Sequence, residues 1–206
     1  TSSHCDWSSD VCSSDLFVVD RVIEVLDGLP EPWFVHVSLL RPHPPFHVPA
    51  PYNDFHDPAE VPAPLPAQDI DHPFIEALGA WGFTTASSDP LEVRQLRATY
   101  YGMIAEVDHQ VGRLLGAVEA AGSTDRTVVA VTSDHGELLG DYGLVSKLGH
   151  HDRSFHVPLI VRWPDLGGVS GTVVDDFTEH VDVMPTLLDL AGLPRSEEHT
   201  SELQSQ

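Results

Sequence analysis

The chain has 206 residues, 41% of them hydrophobic, which suits one ordinary domain, or a piece of a larger one, with a real core. Its formal net charge of -22 argues against nucleic acid or an anionic membrane as partner, because both attract basic patches. No run approaches the roughly 18 apolar residues that a membrane helix needs. The acidity also poses a question. An anionic substrate would have to meet a local cation, and Lys147 is the only lysine of the sequence.

In chain order, the first fifteen residues, TSSHCDWSSDVCSSD, are polar, Ser-rich and without periodicity. The last twelve, RSEEHTSELQSQ, have the same texture, and RSEEHTSELQS resembles translated sequencing-adapter sequence. Residues 1–15 and 195–206 are therefore expected to be a non-native leader and tail, with 16–194 a partial domain. Natural disordered tails are the alternative. Cys5 and Cys12 both fall in the leader, and one pair does not make a disulfide framework.

Val22, Ile23 and Leu26 predict a short helix over 20–29, stopped near Gly28 and Pro30. The run WFVHVSLL, 33–40, reads as a buried strand. It ends at RPHPPF, and prolines crowd 42–73 into a long loop of the kind that carries function. Asp89, Pro90 and Glu92 form a helix start: a cap, a proline in the first turn and a glutamate three after the cap. Apolar residues from Val93 to Val118 recur at three and four, and Gly122 closes the helix. TVVAVT, 127–132, is a second strand and HVPLIVRW, 156–163, a third. Val173 and Val174 begin a further short strand, and 183–191 is a helix with Pro185 in its first turn. Strands alternating with helices predict an α/β fold, a mostly parallel sheet flanked by helices.

In such sheets, ligands bind beyond the carboxyl ends of strands. Two predicted strand ends carry polar groups there: Asp134 and His135 after 127–132, and His43 after 33–40. Asp and His both ligate divalent metals. Neighbours on a strand point apart, and Gly136 permits the break that lets both reach one ion. A strand-end turn with Asp134 capping and His135 exposed explains the same pair. Pro42 and Pro44 stiffen His43, so its imidazole loses little entropy on binding; an ordinary surface-loop histidine is the alternative. Lys147 is a compact point charge in a Gly-rich loop, suited to a tetrahedral anion, or else a solvated surface lysine. His150, His151 and His156 lack companion ligands at a recognisable spacing.

TSDHGELLGDYGLVSKLG resembles the metal-and-lysine segment of the sulfatase family, in the alkaline phosphatase superfamily. Four more stretches are similar to that family in the same order. VHVSLLRPHPPFHVPAPY resembles the strand and loop with the substrate-contacting histidine, and YYGMIAEVDHQVGRLLGAVEAAG the long helix before the metal strand. HDRSFHVPLIVRWP resembles the strand after the lysine, and VDVMPTLLDLAGLP the VD-x-x-PT-x-x-x-L-x-G segment. The RPHPPF and SKLG wording is nearest the arylsulfatase and phosphonate monoester hydrolase branch.

The resemblance implies an alkaline phosphatase-like fold, incomplete here, in a hydrolase of sulfate esters. It implies Asp134 and His135 as ligands of one divalent ion, Ca²⁺ in most of the family and Mn²⁺ in some phosphonate hydrolases. Lys147 would contact the sulfuryl or phosphoryl oxygens and the nucleophile. His43 would contact the same group or protonate the leaving oxygen. The implied partner is a small-molecule sulfate ester, with phosphate or phosphonate esters as the alternative.

One departure stands out. The family's nucleophile is a formylglycine made from Cys or Ser in C-x-[PSA]-x-R, and an Asp-Asp metal pair lies further upstream. Neither stands upstream in this sequence; Cys12-Ser13-Ser14-Asp15 runs into Leu16 where the motif needs arginine. The chain is therefore expected to hold about half of a metal site, no nucleophile, and no turnover alone. A binding domain that has lost catalysis is the alternative from another class; Asp134, His135, Lys147 and His43 together argue against it.

Overall fold

The computed structural model describes residues 7–67, 72–80, 82, 84–148, 150–164 and 171–194. Residues 1–6 of the predicted leader, Gly149 and the predicted tail 195–206 lie outside the described residues. The chain divides into two compact units, one made of 1–124 with 135–157, the other of 125–134 with 158–206.

The first unit holds helices α1 (Trp7–Leu26), α2 (Pro73–Ala80), α3 (Pro90–Ala120) and the four-residue α4 (Asp152–Phe155). Helix α1 begins at Trp7, inside the segment read as a non-native leader, rather than near residue 20. Its sequence contains neither proline nor glycine, so nothing breaks the helix before Gly28, whose N–H closes on the Val25 carbonyl at 3.1 Å. Helix α3 matches the expectation at both ends. The Asp89 carboxylate accepts from the Leu91 N–H at 2.9 Å. At the other end Gly122 takes φ +65°, its N–H bonds the Glu119 carbonyl, and the Ser123 N–H bonds the Val118 carbonyl at 3.1 Å.

Thirty-one residues make α3 about 46 Å long, the spine of this unit. It packs on α1 and on the turn at 52–54. Val19, Met103, Val93, Val118, Leu138 and Leu139 are buried around it. The Tyr52 carbonyl crosses so close to Gly102 that a β-carbon there would sit 2.4 Å from its oxygen. The periodic face is not purely apolar. Arg97, Glu106 and Gln110 are buried on it, while Ile104 and Leu115, both counted in the apolar stripe, are more than two-fifths exposed.

The second unit holds β1 (Val129–Thr132), β2 (Leu159–Arg162) and α5 (His180–Leu190). The strands pair antiparallel, Val129 opposite Arg162 and Thr132 opposite Leu159. A mostly parallel sheet was the expectation, and among the described residues this ladder is the whole sheet. The physical reason lies in the connection. A parallel crossover is usually made by a helix that spans the sheet, and α4, the one α-helix between the strands, has four residues. Two further predicted strands form no ladder among the described residues. Residues 33–40 alternate half-buried with exposed, yet no described segment pairs with them. Val173 and Val174 belong to no strand among the described residues and are strongly exposed.

Helix α5 starts at His180 rather than 183, because the Asp182 carboxylate accepts from the Glu179 N–H at 2.9 Å and caps it there. Pro185 is thus interior to the helix instead of in its first turn. None of its residues is buried. No described helix is long and apolar enough to cross a membrane.

Candidate functional site

The segment from His135 to Leu148 is an irregular loop shaped by specific backbone bonds. The Gly136 N–H donates to the Ser154 carbonyl at 2.8 Å, and the Leu138 N–H to the Ser146 carbonyl at 3.0 Å. The Val145 N–H reaches the Thr84 carbonyl at 2.8 Å. Leu139, Tyr142 and Ser146 all have positive φ, +50°, +60° and +73°. A β-carbon disfavours that region, so the surrounding contacts impose the loop's shape. Leu138 and Leu139, 1% and 6% exposed, root it in the core.

The loop brings together two of the four predicted site residues. The Lys147 Nζ lies 2.7 Å from the His135 Nε2, and both side chains are half-buried. The His135 Nδ1 lies 2.8 Å from the Gly136 carbonyl oxygen. A carbonyl only accepts, so Nδ1 carries the proton and Nε2 presents its lone pair to the ammonium. A histidine is thereby held in one tautomer and one orientation beside the only lysine of the chain.

Gly136 is needed for that arrangement because of the space it leaves. A β-carbon there would sit 2.0 Å from the Arg153 carbonyl oxygen, so the backbones of the loop and α4 touch at this residue. Gly136→Ala must push them apart and weaken the bond to Ser154. A loss of about 1–3 kcal/mol in urea unfolding is expected, the usual cost of overpacking. An alanine variant as stable as the parent chain would show that the two backbones are not in contact.

Beneath the loop lies a buried ion pair that sequence reasoning missed. The Arg97 Nη1 donates to the Asp141 Oδ1 at 3.0 Å and to the Leu139 carbonyl at 3.0 Å. The same Asp141 oxygen accepts from the Leu65 N–H at 2.9 Å, and its other oxygen lies 3.3 Å from the Arg153 Nε. One carboxylate thus ties α3, the Pro-rich loop and α4 to the site loop. The available signal was a charged residue, Arg97, four residues after Val93 on the apolar stripe of α3.

His43 stands at the tip of a separate turn. Its N–H closes on the Leu40 carbonyl at 3.0 Å, and its ring Nδ1 lies 2.8 Å from the Pro44 carbonyl. The base of this turn is pinned by Asp15, 4% exposed, whose two oxygens accept from the Leu40 and Arg41 N–H groups at 2.9 Å each. The buried Arg41 guanidinium bonds the His47 carbonyl across the turn. The imidazole itself is exposed, and among the described residues no hydrogen bond joins it to His135 or Lys147.

Asp134 is exposed and belongs to the second unit, whose boundary with the first falls at the Asp134–His135 peptide bond. Among the described residues no group of three or more His, Cys, Asp or Glu is gathered as a metal cage. The donor chemistry of His135 nevertheless fits a metal. Its Nδ1–H is held by a backbone carbonyl, which leaves the lone pair on Nε2, the tautomer a ligating imidazole adopts. An ion and the Lys147 ammonium cannot share that lone pair, so metal binding requires the lysine to move off it.

The sulfatase family model matches residues 3–193. The chain is 36% identical over 197 residues to the multifunctional alkaline phosphatase superfamily protein PehA of Trinickia caryophylli, covering 87% of this chain and 38% of that protein. It is 33% identical to an arylsulfatase of Clostridium perfringens, covering 79% of this chain and 34% of that one. A solved phosphonate monoester hydrolase of Agrobacterium radiobacter superposes with a TM-score of 0.77 at 38% identity, over 87% of this chain and 39% of the other. The chain thus spans less than two-fifths of the length of these relatives. The match over nearly the whole chain, together with this fold, shows that the chain belongs to the sulfatase family.

Proposed function

We propose that the chain is part of a metal-dependent hydrolase of sulfate esters, carrying one wall of its active site. The observation behind this reading is the Lys147–His135 contact at 2.7 Å, a cation and a ligand-type imidazole held together in an acidic chain. Lys147 binds the nonbridging oxygens of the ester through its ammonium and opposes the charge that grows on them during transfer. Asp134 and His135, consecutive in the chain, would hold one divalent ion, Ca²⁺ in the first instance and Mn²⁺ as the alternative. When bound, such an ion supplies further positive charge to the same oxygens. His43, carried on a turn pinned by Asp15, gives a proton to the departing alcohol. The nucleophile comes from a formylglycine motif that this sequence does not contain.

Phosphonate monoester hydrolysis is a second reading, favoured by the 38% identity and TM-score of 0.77 to the solved phosphonate monoester hydrolase. Both substrates are tetrahedral anions that one ammonium and one divalent ion can bind. A panel of aryl sulfate and phenyl phosphonate monoesters separates them in a full-length parent. The expected result is faster turnover of the sulfate by the parent and none by the 206-residue chain alone. Faster turnover of the phosphonate selects the second reading, and hydrolysis by the chain alone removes the claim that its nucleophile lies elsewhere.

A further inference from the structure

Glu137 is the next carboxylate after the Asp134–His135 pair, and its position invites a part in the chemistry. Its contacts point elsewhere. The Glu137 Oε1 accepts from the backbone N–H of Ser146, nine residues on. The neighbouring Leu138 N–H donates to the Ser146 carbonyl at 3.0 Å. Both backbone polar groups of Ser146 are therefore held by the two residues that follow Gly136. Ser146 has φ +73°, a conformation its β-carbon resists, so something must hold it there. The next residue is Lys147. Its long side chain is adaptable, and the direction in which it leaves the backbone decides whether Nζ meets His135.

We propose that Glu137 is the positioning residue for Lys147: its carboxylate clamps the Ser146 N–H and so sets the turn that brings the Lys147 Nζ onto the His135 Nε2. The loop is anchored at its start by the Gly136 N–H on the Ser154 carbonyl, 2.8 Å, and closed at its end by this clamp. Glu137 acts through the backbone of Ser146, as an acceptor, and its charge is not required. This inference rests on the Lys147–His135 contact used in the reading above.

The test is the ¹⁵N resonance of the His135 Nε2 in the full 206-residue chain at fixed pH. Lys147→Met removes the ammonium and shifts it. Glu137→Ala is expected to shift it as far as Lys147→Met does, with the amide resonances of α3 unmoved. Glu137→Gln keeps a carbonyl oxygen for the Ser146 N–H and is expected to leave the wild-type position. A wild-type resonance in Glu137→Ala, with a shift in Lys147→Met, overturns the clamp and leaves the contact standing. No shift in Lys147→Met overturns the contact and the clamp together. A Glu137→Gln shift equal to that of Glu137→Ala assigns the effect to charge and also overturns the clamp. Where Glu137→Ala loses its folded spectrum, Glu137→Met replaces it, since its unbranched side chain fills the space of the glutamate without an acceptor for the Ser146 N–H. That variant is expected to fold and to show the shifted resonance; a wild-type position there sinks the proposal.

Discussion

Lys147→Ala in a full-length parent is expected to lower kcat by about 10²–10³-fold, the loss typical when one donor to a developing anion is removed. The chain is strongly acidic and carries this one lysine, so no neighbouring ammonium of the same chain takes over. Metal content separates the roles of the two partners. Lys147 holds the His135 lone pair only while no ion does, so Lys147→Ala should keep the bound metal. His135→Ala should lose both metal and turnover. The measurements are steady-state kinetics on an aryl sulfate and metal analysis of the purified variants. A full rate in Lys147→Ala takes the lysine out of the site, and lost metal in that variant makes it a structural prop for the ligands.

Asp141→Ala is expected to destabilise the chain by about 3–5 kcal/mol, because it strands the Arg97 guanidinium in the interior without its counter-charge. The Arg97 and Asp141 side chains are 8% and 5% exposed, so solvent cannot replace the missing partner. Arg97→Met should cost less. It leaves Asp141 with the Leu65 N–H and with Arg153, two of its three partners. Replacing both residues with apolar ones should be milder than Asp141→Ala alone, since no charge is then stranded. Urea unfolding followed by far-UV circular dichroism reads this order. An Asp141→Ala midpoint equal to that of the wild-type chain would mean that the pair does not hold the loop.

The parts of the fold that local chemistry governs were legible in advance. Helix α3 has its cap, its first-turn proline and its closing glycine in the sequence, and each acts as expected. Its polar interior was not legible. Arg97 is buried because Asp141, forty-four residues away, meets it, and no local pattern announces such a pair. The extension of α1 to Trp7 escaped for the opposite reason: a polar stretch without a breaker carries too weak a signal to separate helix from coil.

The site divides along the same line. Asp134, His135, Lys147 and His43 were named from residue type, strand ends and family resemblance, all properties of the chain read in order. Which of them meet was a matter for the fold. Lys147 reaches His135 through a loop with three strained residues, clamped by Glu137 and floored by Asp141. Sequence by itself determined the family and the long helix, and it supplied the candidate site residues. The tertiary structure alone decided the antiparallel pairing of β1 with β2 and the Lys147–His135 contact. Strand pairing, ion pairing and loop shape depend on groups far apart along the chain, and only folding supplies those partners.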